Sequence, residues 1–123
     1  MTRDRETREA SSADGLPAKA QAVTLAALVE VAPGAVVSRT LAKNDAGTVT
    51  LFAFDAGQEL SEHSTPFDAL VQVIEGRAEL IIGGKSVAAG AGQLVVMPAN
   101  VPHAVKAPVP FKMLLVMLRA APE

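Results

Sequence analysis

The sequence predicts an all-β domain, a sandwich or barrel of short antiparallel strands. Three observations carry this. From Gln21 onward, turn residues recur about every 8–12 residues. The runs between them are rich in Val, Leu and Ile and follow strand period. Only one stretch, Leu25 to Val31 (LAALVEV), reads as a helical turn, because Ala-Ala-Leu favours helix.

The elements follow in order. Ala35 to Ala42 is the first strand. Asp45-Ala46-Gly47 turns the chain into Thr48 to Asp55 (TVTLFAFD), which stops before Gly57. Ala69 to Ile74 (ALVQVI) ends at Glu75-Gly76. Arg77 to Ile82 (RAELII) ends at Gly83-Gly84, a pair suited to the positive φ of a two-residue hairpin turn. Lys85 to Ala88 returns, and Gly90-Ala91-Gly92 breaks it. Gln93 to Met97 (QLVVM) stops at Pro98. Val101 to Ala107 and Phe111 to Leu118 (FKMLLVML) close the chain, with prolines between Pro98 and Pro110 marking the loops.

Composition removes several classes of function. The 123 residues suit one domain. Without cysteine there is no disulfide, zinc-thiolate site or thiol nucleophile. A net charge of −2 gives no basic surface for nucleic acid, and four Phe with no Trp or Tyr give no stacking platform for bases. No apolar run reaches the ~20 residues of a membrane helix, and the N-terminus lacks an apolar signal core. A protein made and kept in the cytoplasm is expected. Residues 1–15 hold six charged side chains between Arg3 and Glu9 and nothing large and apolar after Met1. They read as a flexible polar tail, leaving residues 16–123 as the single barrel domain.

Two strands are apolar on both parities. Ala69, Val71 and Val73 alternate with Leu70, Gln72 and Ile74. Phe111, Met113, Leu115 and Met117 alternate with Lys112, Leu114, Val116 and Leu118. A strand with one wet face should alternate, so something must cover the outer face. A homodimer through these faces is the preferred expectation; residues 21–42 folding over them is the alternative.

The chain has two histidines, each in a distinctive frame. Gly57 is followed by five residues, His63, Ser64, Thr65, then Ala69 and Gly76. Gly92 is followed by five residues, Pro98, Asn100 and His103, then Ala107. These frames resemble the two motifs of the cupin superfamily over roughly residues 57–107. The resemblance implies a double-sheet antiparallel β-barrel (a jelly roll) with its site inside the barrel mouth. In metal-binding cupins, two His and a Glu of the first motif join one His of the second around the metal. His63 matches the first His and His103 the last. Thr65 stands at the second His, and Ala69, or Leu70 with the longer spacing, at the Glu. Asn100 replaces a Gly, a change a left-handed turn tolerates, and Ala107 replaces the closing Asn.

The inherited shell is therefore half gone. His63 and His103 remain as metal candidates for one divalent ion (Zn, Fe, Mn or Ni), and a third ligand is needed. Asp68 is the first candidate for it, with Glu59 and Glu62 behind, although parity turns Asp68 outward unless Pro66 introduces a bulge. Met97, Met113 and Met117 read as soft core filler rather than sulfur ligands.

Ligand-binding candidates are His63, Thr65, Phe67, Val71, His103 and Met113, around a pocket that is mostly aliphatic. Three functions follow as expectations. The first is a cupin barrel binding a small, largely apolar organic ligand, without established catalysis. The second is a metal-dependent oxygenase, isomerase or hydrolase with a reduced His63/His103 shell. The third is a dimeric structural or partner-binding module. Fold alone does not choose among them.

Overall fold

The computed structural model describes residues 14–119. Residues 1–13, most of the expected polar tail, lie outside the described residues. Its last two positions do not: the Thr40 amide donates to Asp14 Oδ1 at 2.8 Å, and the Gly15 amide donates to the Thr40 carbonyl at 2.7 Å.

Strands form where aliphatic residues alternate and stop where glycine or proline intervenes. Among the described residues there are nine: β1 (Val36–Asn44), β2 (Gly47–Phe54), β3 (Glu59–His63), β4 (Phe67–Glu75), β5 (Arg77–Ile82), β6 (Lys85–Gly90), β7 (Leu94–Met97), β8 (His103–Lys106) and β9 (Phe111–Arg119). Leu25–Leu28 forms one 3-10 turn inside the stretch expected to be helical. Gly83 and Gly84 have φ of +58° and +83° and join β5 to β6 as the expected hairpin.

The strands build two antiparallel sheets, ordered β1-β2-β9-β4-β7 and β3-β8-β5-β6. The last long strand, β9, sits at the centre of the first sheet between β2 and β4. This is the double-sheet barrel expected. No helix among the described residues is long and apolar enough to cross a membrane.

One core fills the space between the sheets. Val71 and Val73 from β4 and Met113 from β9 are fully buried against Leu80 of β5 and Val105 of β8. At one end the Phe54 and Phe111 rings stack with centroids 4.5 Å apart and planes 11° apart. Such a pair contributes about 0.5–1.5 kcal/mol beyond its area.

A second, smaller cluster lies on the outer face of the five-stranded sheet. Val29 is buried there with Leu25, Leu28 and Val31 against Leu51, Ala53, Ile74 and Leu114. Lys112 Nζ ties this cover down: it donates to the Ala26 carbonyl at 2.7 Å and sits 3.6 Å from Glu75. The chain's own residues therefore cover the Ile74–Leu114 half of the doubly apolar strands, as the alternative reading expected. The other half stays open. One in-register row across four strands is Val49, Val116, Leu70 and Val96. Val96 in this row is 54% exposed, and beside the row Leu94 is 58% and Leu118 48% exposed.

Candidate functional site

The two histidines meet at one end of the barrel. His63 is the last residue of β3 and His103 the first of β8, and the register sets them directly opposite. A bulge makes this pairing productive. Leu60 pairs with Val105 and His63 with His103, so β3 spends three steps where β8 spends two. The extra residue reverses parity. As a result Leu60 and His63, which an unbroken strand would point to opposite faces, both line the same cavity. The loops that carry the pair are also tied: the Asn100 amide donates to the Thr65 carbonyl at 2.7 Å, with Asn100 at φ +66°, the left-handed turn expected of it.

The imidazole centroids are 4.6 Å apart with the rings at 68°. His63 Nδ1 lies 2.9 Å from the Ser61 carbonyl, and His103 Nδ1 lies 3.2 Å from the Val101 carbonyl. A carbonyl only accepts, so in the neutral form of each ring Nδ1 carries the proton and Nε2 the lone pair. His103 is 4% exposed. Burial holds its pKa below the ordinary 6.5; the Val101 carbonyl opposes this and the neighbouring His63 adds to it. At neutral pH His103 is therefore an uncharged acceptor.

The cavity between the sheets measures about 270 Å³. His63, Thr65, His103 and Met113, all anticipated from the sequence, line it. Phe67 and Val71, also anticipated, do not. Val71 lies completely buried in the core. Phe67 packs under the Arg119 guanidinium, 5.8 Å from the ring centroid. Phe52, Leu60, Ala69, Met97, Val105, Leu115 and Met117 complete the wall. Met97 and Met117, which the sequence offers as core filler, stand in this wall. Leu60 was hidden by the bulge.

Thr65 contributes shape more than chemistry. Its hydroxyl donates to the Phe67 carbonyl at 3.2 Å and accepts from the Phe67 amide at 3.3 Å. Asp68 is held outside the cavity, where Oδ1 accepts the Ala99 amide at 2.9 Å. It pairs with Leu118 on the outer face of the sheet, so no bulge turns it inward and it does not serve as the third ligand. Glu59 and Glu62 are exposed. Among the described residues, no three His, Cys, Asp or Glu side chains gather around a common point. Two imidazoles without a third nitrogen or a carboxylate do not fit the shell of Zn, Fe, Mn or Ni.

The sequence model of the cupin domain matches residues 50–117. Among solved structures, the chain is similar to a conserved protein of unknown function from Streptococcus pyogenes. That match has 36% identity and a TM-score of 0.82, covering 86% of this chain and 93% of the other. It is also similar to a cupin superfamily protein from Desulfitobacterium hafniense, with 28% identity, a TM-score of 0.80, and coverage of 85% and 95%. A third is a cupin 2 conserved barrel domain protein from Leptotrichia buccalis, with 38% identity and a TM-score of 0.75, covering 76% of this chain and 46% of the other. The comparison with curated proteins finds no match.

Proposed function

The chain belongs to the cupin family, and from that premise we propose that its barrel mouth binds a small, largely apolar organic molecule carrying a neutral hydroxyl. One observation carries the reading. An almost wholly apolar cavity of about 270 Å³ ends in two adjacent imidazoles whose Nδ1 protons are already committed to backbone carbonyls. The remaining Nε2 atoms accept hydrogen bonds, so the ligand must donate. The volume sits at the small end of ligand pockets. Among the described residues no Lys or Arg lines it, which suits a neutral alcohol or phenol over an anion.

Matched pairs of small alcohols and their methyl ethers test this by thermal shift on metal-free protein. The alcohol should stabilise the fold, by about 2.7 kcal/mol at a hundredfold excess over Kd, and the ether should not. His103→Leu should abolish the difference. Equal effects of alcohol and ether would overturn the reading.

A second reading rests on the open half of the outer sheet face. The row Val49, Val116, Leu70, Val96 is apolar across four strands. A second copy of this chain suits it, since a two-fold pairing sets apolar row on apolar row and needs no complementary charge.

A further inference from the structure

The cavity holds two thioethers in one row. Ala69 pairs with Met97 on β7 and with Met117 on β9, so the three residues lie side by side across the sheet. All three line the cavity that His63 and His103 bound from the opposite sheet. Their places along the strands agree: His63 ends β3, Met97 ends β7, His103 begins β8, Ala69 is near the start of β4 and Met117 near the end of β9. Neighbouring side chains in such a row have Cβ atoms about 4.5–5.5 Å apart. Ala69 between them carries only a methyl, and all three border the same cavity. Each methionine has three rotatable bonds beyond its backbone and a soft, polarisable sulfur.

We infer that this end of the cavity takes a soft monovalent metal ion, copper(I), with His63 Nε2, His103 Nε2 and the Sδ atoms of Met97 and Met117 as its donors. Softness is the first reason. Thioethers are soft donors that favour copper(I), whereas Mn prefers carboxylate, carbonyl and water oxygens. Charge is the second. All four donors are neutral, and among the described residues no carboxylate lines the cavity. The cost of placing an ion in an apolar surround scales with the square of its charge, so a monovalent ion costs about a quarter of what a divalent one does. The third reason is protonation. Metal binding requires a bare imidazole nitrogen, and the carbonyls of Ser61 and Val101 already fix the proton on Nδ1 of each ring. The donors that disqualify the site for a divalent shell are those a soft ion prefers.

The ion and the hydroxyl ligand proposed above call on the same two nitrogens and are alternative occupants. Their tests are separate, because the alcohol–ether comparison is made on metal-free protein. For the ion, the full chain is titrated anaerobically with copper(I) held by bicinchoninate, and the loaded protein is studied by copper-edge X-ray absorption. The wild type should take one copper per chain and show sulfur scatterers beside nitrogen. Met97→Leu/Met117→Leu should lower the affinity roughly tenfold or more, given that even outer-shell partners of metal ligands are worth about 10–100-fold. Leu conserves volume in such walls, so the fold should persist. Failure of the wild type to take copper from the chelator overturns the inference, as does an unchanged affinity in the double variant. If the double variant does not fold, the absorption spectrum decides alone, and a copper surrounded only by nitrogen or oxygen overturns it.

Discussion

His63 and His103 stand edge to face with centroids 4.6 Å apart, each held by the backbone carbonyl two residues before it. The arrangement aims two lone pairs into an apolar cavity and leaves neither ring free to swap its proton without losing a hydrogen bond.

Acid should weaken this fold through His103. Its folded pKa lies below 6.5, chiefly because of burial, so the unfolded chain binds the extra proton first. Stability then rises with pH across the window between the folded and unfolded values. It is fully present above 6.5 and is lost as pH falls below that. The check is the stability difference between wild type and His103→Leu at several pH values from 7 to 5. The wild type should lose ground steadily as pH falls, and a difference independent of pH would refute the assignment.

Gly76→Ala should destabilise the protein by about 3 kcal/mol. Gly76 has φ +74°, and a Cβ there would overlap the Pro110 carbonyl oxygen and the Cβ of Phe111. Denaturant unfolding measures the loss. A cost below about 1 kcal/mol would mean that the turn relaxes at no structural expense.

Lys112→Met should cost about 1–3 kcal/mol by leaving the Ala26 carbonyl without its donor. The effect should be local first. Amide exchange at Ala27, whose N–H bonds the Thr24 carbonyl, should accelerate more than exchange in β4 or β9. Uniform acceleration would show that the cover and the barrel open together.

Leu70→Glu or Val116→Glu should convert a dimer into monomers, read by sedimentation at micromolar concentration. Both residues sit in the uncovered row of the outer sheet face. Dimers that survive both substitutions would place the contact elsewhere.

The sequence made much of this legible for local reasons. Gly83-Gly84, Asn100 and the strand rhythm depend on φ preference and period two, which neighbours along the chain decide. The two histidine frames were equally visible. β3 was not, because Glu59-Leu-Ser-Glu-His63 is almost wholly exposed and shows no apolar alternation. Its bulge is a mismatch with β8, a partner forty residues away. The row Met97–Ala69–Met117 needs the registers of three strands at once, so its methionines read singly as filler. The open and covered halves of the outer face were likewise inseparable until Lys112 was seen pinning residues 25–31 over one of them.

The stacked Phe54–Phe111 pair has a consequence for traffic. It stoppers the barrel at the end remote from the histidines, with Val73 and Met113 packed solid beneath it. Among the described residues, the way into the cavity therefore lies at the opposite end, where His63 is exposed and lines it.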